Sequence, residues 1–90
     1  MFSVRYRGTV IVTLKETIFD PQGEAVKNSL VAMGFSSVAG VRMGKHIVVY
    51  FEARDGVEAQ EKLGSMARRL LANPVTETYE ISLVEVTDSR

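Results

Sequence analysis

A segment near the N-terminus alternates between apolar and polar residues. In residues 4–15, Val, Tyr and Leu side chains fall on one face, and Arg, Thr and Lys side chains fall on the other. Period-two alternation rich in β-branched residues predicts a β-strand with one face buried against a core. Gly8 interrupts the apolar face, which indicates either a bulge or the close approach of another element.

A helix is predicted after this strand. Asp20 is suited to cap the free backbone N–H groups of a helix start, and Pro21 suits the first helical position, where no N–H is needed. Apolar residues then recur at helical spacing, at Ala25, Val26, Leu30 and Met33. Gly34 predicts a left-handed residue that ends the helix, with Phe35 packing back onto it.

Two strands are predicted in the middle of the chain, at residues 38–43 and 46–53. Gly44-Lys45 lies between them with glycine first, which favours a two-residue hairpin turn of type II′. The later strand is apolar on both faces. It is therefore predicted either to lie centrally in the sheet or to be covered on its second face.

A second helix and a fourth strand follow. Asp55 and Glu58 have the spacing of a capping box, and Asn73-Pro74 is a stop signal. The predicted apolar stripe of the helix consists of Ala59, Leu63, Met66 and Leu70. Residues 75–86 alternate again and predict the last strand, whose apolar face carries Tyr79, Ile81 and Leu83. Residues 88–90 are expected to be a short polar tail.

The predicted order of elements is β-α-β-β-α-β. This order is typical of the ferredoxin-like α+β fold, a two-layer sandwich in which an antiparallel four-stranded sheet carries both helices on one face. The chain has 90 residues and neither a linker nor an internal repeat. We therefore expect a single domain spanning residues 1–90.

Composition narrows the possible functions. Eleven Lys and Arg residues balance eleven Asp and Glu residues, which argues against a nucleic-acid partner or an anionic membrane surface. The absence of cysteine excludes disulfides, zinc–thiolate sites and thiol nucleophiles. No apolar run approaches the roughly 20 residues of a membrane-spanning helix. Residues 1–5 lack the pattern of a signal peptide, so a cytoplasmic location is expected.

Candidate catalytic chemistry is sparse. His46 is the single histidine, and a solvated strand start is a better interpretation of it than a proton shuttle. No spacing matches a phosphate-binding loop, a metal site or a nucleophile–base pair. Arg42 and Lys45 flank the predicted turn, where either a phosphate or partner carboxylate docks or the tip is simply solvated. We expect no catalytic, cofactor-binding or metal-binding residue.

One face of the predicted sheet is left without helices. Apolar side chains of residues 46–53, together with Ile11 and Val84, are expected on that face. Such a surface favours association, most economically with a second copy of the chain through a twofold axis. The alternative is a small apolar patch that water tolerates.

Three segments together carry a resemblance to a known family. The first combines Leu14-Lys15 with residues 20–23 and 25–26, the second is residues 41–45, and the third is residues 70–75 with Glu77 and Tyr79. Their order and spacing resemble PurS, the small subunit of phosphoribosylformylglycinamidine synthase in purine biosynthesis. The resemblance runs from Val4 to Val86.

The resemblance implies a non-catalytic subunit of an ATP-dependent glutamine amidotransferase ligase. In that family a large synthetase subunit uses ATP and Mg, and a glutaminase subunit releases ammonia from glutamine. PurS-like chains form homodimers or homotetramers, bridge those two subunits and help ammonia transfer. By this resemblance the chain binds no cofactor itself.

The resemblance also selects candidate interface or family-motif residues. They are Asp20, Pro21, Gly23, Arg42, Gly44, Lys45, Asn73, Pro74, Glu77 and Tyr79. Most have a local structural explanation, whereas Arg42, Lys45 and Glu77 do not and are the stronger interface candidates. An alternative of another class is a small-molecule-binding regulatory module of the ACT type, which shares the order of elements and binds amino acids at dimer interfaces.

Overall fold

A three-stranded antiparallel sheet forms the centre of the computed structural model, which describes residues 3–86. The elements in chain order are β1 (Val4–Leu14), α1 (Pro21–Ala32), β2 (Gly44–Ala53), α2 (Gly56–Met66) with a π-helical turn at Ala67–Leu71, and β3 (Glu77–Glu85). The strand order is β2-β1-β3. The predicted α+β class is confirmed, with three strands in these residues where the sequence predicts four. The predicted tail at residues 88–90 lies outside the described residues.

The alternation of β1 determines which face of the sheet is buried. Tyr6, Val10 and Val12 point toward α2 and are buried, as predicted. The ladder to β2 runs without interruption from Val4 to Thr13, so Gly8 is not a bulge. A Cβ atom at Gly8 would lie 2.6 Å from Cδ2 of Leu63. Gly8 therefore permits the close approach of α2.

Capping fixes the start of α2. The Asp55 carboxylate accepts a hydrogen bond from the Glu58 backbone N–H at 2.9 Å. The Glu58 carboxylate in turn accepts one from the Arg54 backbone N–H at 2.7 Å. The predicted N-cap at Asp55 is confirmed. The bond back from the Glu58 side chain goes to Arg54, the residue before the cap, rather than to Asp55 itself. Ala59 and Leu63 are fully buried against the sheet.

The apolar stripe of α2 changes course at its C-terminal end. The Ala72 N–H donates to the Ala67 carbonyl oxygen at 2.9 Å, a bond that spans five residues rather than four. This wider turn shifts the side chains that follow Met66 around the helix axis. Ala67 is fully buried, whereas Leu70 is 83% exposed. The prediction that Leu70 belongs to the core is wrong for this reason.

Residues 38–43 do not form the predicted strand. The Met43 N–H donates to the Asp20 carboxylate at 2.7 Å instead of joining a ladder. The predicted hairpin turn is also wrong, because Gly44 is the first residue of β2 and pairs with Thr13 of β1.

α1 begins and ends as predicted but does not pack like a sandwich helix. Phe35 N–H bonds to the Leu30 carbonyl at 3.0 Å and Gly34 has a φ of 109°, which together make a Schellman ending. Only Gly23 of α1 is buried, and no α1 residue belongs to either core cluster. The sheet is thus covered by α2 alone, and the Phe35 side chain is 54% exposed rather than packed back.

The outward direction of α1 makes the molecule long and thin. Its principal extents are 58 × 33 × 15 Å and its radius of gyration is 17.4 Å, whereas a compact domain of this length has a radius of about 12 Å. The chain therefore leaves much of its apolar surface uncovered.

No helix within residues 3–86 has both the length and the apolarity to cross a membrane.

Replacing Leu63 by alanine tests the assignment of the core. The Leu63 side chain is fully buried between α2 and β1, so Leu63→Ala is expected to lower the free energy of unfolding by about 2–5 kcal/mol. Val57 on the same helix is 71% exposed, and Val57→Ala should change it by no more than about 0.5 kcal/mol. Chemical denaturation measures both, and equal losses would contradict the packing.

Candidate functional site

Most of the motif residues predicted from the sequence meet at one end of the sheet. There the end of β1, the start of α1 and the starts of β2 and β3 come together around a cavity of about 210 Å³. We call this group the junction; it consists of Asp20, Pro21, Gly23, Arg42, Gly44, Lys45, Asn73 and Glu77. Pro74 lies in the turn before β3, and Tyr79 lies apart from the junction against the core.

The Asp20 carboxylate is the buried polar group of the junction. Only 5% of the residue is exposed. One carboxylate oxygen accepts from the Gly23 N–H at 2.9 Å, and the other accepts from the Met43 N–H at 2.7 Å. These bonds hold the pKa of Asp20 below its usual range, and the bond from Met43 has the largest effect. Asp20 thus ties the start of α1 to the segment that leads into β2.

Two glycines allow the backbones of the junction to meet. A Cβ atom at Gly23 would overlap the carbonyl oxygen of Val41, and one at Gly44 would overlap that of Val12. Both obstacles are backbone atoms, which a rotamer change cannot move away. Glycine is therefore required at both positions by close contact.

Arg42 closes the loop between β1 and α1. Its Nη2 donates to the Lys15 carbonyl at 2.7 Å and to the Ile18 carbonyl at 2.9 Å. A guanidinium is suited to this task because it presents several donors in a rigid plane. Arg42, for which the sequence offered no local role, has a structural one in addition to its candidacy as an interface residue.

Glu77 connects the last turn to β2. Its Oε1 accepts from the Asn73 N–H at 2.7 Å, and its Oε2 lies 3.9 Å from Nζ of Lys45. Asn73 Oδ1 accepts from the Val75 N–H at 3.0 Å, which shapes the turn. Lys45 is largely exposed, so the ion pair contributes little to stability and leaves the ammonium open to a partner.

A groove that the sequence analysis missed lies between β2 and the end of α2. It has a volume of about 530 Å³ and is lined by the apolar side chains of Val49, Met66, Leu70 and Leu71 together with Ser65 and Arg69. The π-helical turn creates it by directing Leu70 out of the core. The signal available in the sequence was the apolar character of both faces of residues 46–53.

The outer face of the sheet carries the apolar side chains expected there. Ile11, Val48, Tyr50 and Val84 are all more than a third exposed. Arg7 lies between Tyr50 and Val84 across the strands, and His46 is exposed beside Ile11. The predicted uncovered apolar face is confirmed, and Arg7 of the central strand lies among its apolar side chains.

Across residues 3–86, no group of three or more His, Cys, Asp or Glu side chains is arranged to hold a metal ion. The Asp20 and Glu77 carboxylates and the Arg42 guanidinium are hydrogen-bonded to backbone atoms, whereas the Lys45 ammonium makes only a long ion pair with Glu77. The chemistry of the junction is thus that of positioning: it sets the direction of α1 and leaves the groove and the outer face open.

Comparison with known proteins gives one consistent match. Residues 7–85 match the model of the family described as PurS: Phosphoribosylformylglycinamidine (FGAM) synthase. The PurS subunit of Synechocystis is 40% identical over 82 residues, which cover 89% of this chain and 82% of that protein.

Solved structures agree in fold. Thermus thermophilus PurS is 43% identical with a TM-score of 0.81, covering 92% of this chain and 99% of that one. A chain in the structure of PurLQS from Thermotoga maritima is 29% identical with a TM-score of 0.81, covering 89% and 98%.

Replacing Asp20 by asparagine is expected to lower the thermal midpoint at neutral pH, because the variant loses a charge-assisted bond at a helix start. A carboxylate whose pKa is lowered by folding stabilises the folded state at pH values above its unfolded pKa of about 3.9. This stabilisation is lost as the pH falls through the folded pKa. The difference in thermal midpoint between the wild type and Asp20→Asn should therefore become smaller at acidic pH. Melting curves at a series of pH values measure it. Glu16→Gln in an exposed turn is the control, and a pH-independent difference for Asp20→Asn would contradict the assignment.

A glycine pair tests the crowding at α1. Gly23→Ala is expected to destabilise the fold although alanine favours helices, because the new methyl group meets the Val41 carbonyl. Gly56 opens α2 and has open space at its Cβ position, so Gly56→Ala should be neutral or stabilising by up to about 1 kcal/mol. Unfolding free energies compare the two, and a stable Gly23→Ala protein would refute the close contact.

Proposed function

Because the chain belongs to the PurS family of phosphoribosylformylglycinamidine synthase, we propose that it is the small assembly subunit of that synthase in purine biosynthesis. In this proposal it bridges the ATP-dependent synthetase subunit and the glutaminase subunit and helps ammonia pass between them. The likeness to a chain of PurLQS from Thermotoga maritima supports an assembly role.

The observation that carries the proposal is the amount of surface the chain leaves open. Its accessible surface is 6603 Å², whereas a compact protein of this mass exposes about 5,200 Å². The groove, the apolar side of α1 and the outer sheet face account for uncovered apolar area. A chain of this kind is suited to contact with partners.

Self-association accounts for part of that surface. Two copies that each covered the excess of about 1,400 Å² would bury close to 2,800 Å², which is in the range of obligate homodimers. We propose a homodimer as the basic unit, from which a tetramer forms through a second surface. The outer sheet face and the exposed Lys45 then remain for the two larger subunits.

The physical purpose of such a subunit is containment. Ammonia that reaches bulk water is protonated and is then no longer a nucleophile, so a sealed subunit junction preserves its reactivity. The chain's own side chains take no part in bond making in this proposal. ATP and Mg act in the synthetase subunit, and the assembly is placed in the cytoplasm.

The ACT-like alternative finds no particular support. The junction cavity of about 210 Å³ is below the roughly 300–1,000 Å³ of typical small-molecule sites. The groove of about 530 Å³ lies within that range, but its lining is mainly apolar and does not suit an amino acid. The Asp20 and Glu77 carboxylates that line the junction cavity are already bonded to backbone atoms. A ligand would have to displace those bonds.

Reconstitution tests the proposal directly. Amidine formation from glutamine is expected to fail when the chain is withheld from the two larger subunits and to return when it is added. The isolated chain should neither hydrolyse glutamine nor consume ATP. Leu63→Ala, which weakens the fold, serves as a control for specific rescue. Full glutamine-dependent activity without the chain would end the proposal.

Calorimetry separates the two function classes. Titration of the isolated chain with amino acids and with nucleotides is expected to give no binding heat, because the carboxylates that line the junction cavity are already hydrogen-bonded to backbone N–H groups. Saturable binding of an amino acid at micromolar concentration would favour the ACT-like regulatory module instead.

A further inference from the structure

We infer that one end of the outer sheet face docks an acidic side chain of a larger subunit, and that the apolar side chains of the same face pack against the residues around it. The inference rests on the proposed assembly role and deepens it, because it names the surface and the chemistry of the partner. The site is a depression of about 350 Å³, which we call the basic depression; it is lined by Thr13, Leu14, Lys15, Glu16, Arg42 and Thr78.

Small residues leave room for the basic depression. Gly44, Thr13 and Thr78 lie opposite one another across the three strands. They belong to the outer face, because Thr13 follows the buried Val12 and successive residues of a strand point to opposite faces. The sheet surface is therefore low at this end, and the longer side chains of the neighbouring loop stand beside it.

The two threonine hydroxyls supply a hydrogen-bond donor. Oγ1 of Thr13 and Oγ1 of Thr78 lie 3.2 Å apart, and either can be the donor. One hydroxyl donates to the other, so the hydrogen of the second hydroxyl has no protein acceptor within residues 3–86. An ionised carboxylate, which only accepts hydrogen bonds, complements such a group.

Two cationic side chains line the same depression. Arg42 bonds to the carbonyl oxygens of Lys15 and Ile18 through Nη2 alone, which leaves its Nε and Nη1 without an acceptor in the part of the chain that the structure describes. Among the same residues the Lys15 ammonium forms no ion pair. Because the two bonds of Nη2 already hold the guanidinium in place, an anion that binds there orders few additional side-chain rotamers.

The charge of the lining favours an anion. Lys15 and Arg42 are opposed by the single carboxylate of Glu16, which is exposed. Asp20 and Glu77 line the junction cavity instead, and their carboxylates already accept backbone N–H bonds. The basic depression therefore retains an uncompensated positive charge.

The surrounding face indicates that the anion belongs to a protein. Ile11 lies about 7 Å from Thr13 along β1 on the same face. Val48 and Tyr50, which are 43% and 65% exposed, extend the apolar surface across β2. A free anion at an exposed site is held weakly, whereas a protein segment also covers this apolar surface. Arg7 lies beside Tyr50, and these two residue types are common at the centres of interfaces.

Substitutions of Lys15 and Glu16 test the docking in opposite directions. Each full-length variant is titrated into the two larger subunits, and the concentration that gives half-maximal glutamine-dependent activity is measured. Lys15→Gln is expected to raise this concentration several-fold, and Glu16→Gln is expected to lower it, because the first removes an attracting charge and the second a repelling one. Both differences should become smaller at high salt.

Lys62→Gln is the matched control, since it removes the same charge from α2, on the other side of the sheet, and should leave the half-maximal concentration unchanged. Equal concentrations for the wild type, Lys15→Gln and Glu16→Gln overturn the docking, as does a change in the same direction in both variants. Melting curves establish that each variant is folded, and Glu16→Gln alone decides the question if Lys15→Gln does not fold.

A carbodiimide cross-link identifies the partner, because it joins an amine to a carboxylate in direct contact. In the assembled complex, mass spectrometry is expected to find Lys15 joined to an Asp or Glu of a larger subunit. Lys15→Arg keeps the charge but has no amine, so it should lose the cross-link and keep the activity. Lys15 joined only to carboxylates of this chain or of a second copy overturns the docking, and so does saturable micromolar binding of inorganic phosphate to the isolated chain.

The docking and the assembly role fail separately. If glutamine-dependent activity requires the chain, but Lys15→Gln behaves as the wild type and no cross-link to a larger subunit forms, the docking is wrong and the assembly role stands. If the cross-link forms at Lys15 but activity needs no added chain, the assembly role is wrong and the contact stands.

Discussion

The carboxylate of Asp20 receives hydrogen bonds from two directions, and the position of α1 depends on them. The bond from Gly23 belongs to the helix start, and the bond from Met43 belongs to the chain entering β2. This buried side chain therefore ties the start of α1 to the chain entering β2 and, with the other contacts of the junction, holds the helix away from the sheet. The low pKa of Asp20 has the same origin, because both bonds favour the charged form.

The direction of α1 has consequences for the rest of the molecule. A ferredoxin-like sandwich places two helices over its sheet, whereas here α2 alone supplies the inner layer and the groove remains beside it. A chain of 90 residues has little core to begin with. Leaving part of it open exposes apolar surface that contact with a partner would cover.

The local elements were predictable because their causes are local. The alternation of β1, the caps at Asp20 and Asp55 and the Gly34 helix ending each depend on residues within one or two turns of each other. The exposed position of Leu70 could not be predicted, since the π-helical turn at Ala67–Leu71 has no clear signal in the side chains that form it. The prediction of a strand at residues 38–43 is wrong, because Met43 at its end donates its N–H to Asp20 instead of to a neighbouring strand.

The candidate site shows the same division. The residues of the junction were selected through resemblance to a family, and their identity alone did not reveal what they do together. Arg42 is 27 positions from Lys15, which it contacts, and Asp20 is 23 positions from Met43. The sequence by itself determined the three strands that form, the two helices and the apolar outer face, since these follow from the spacing of neighbouring side chains. Only the tertiary structure decided that α1 points away from the sheet, because that direction depends on bonds between distant residues.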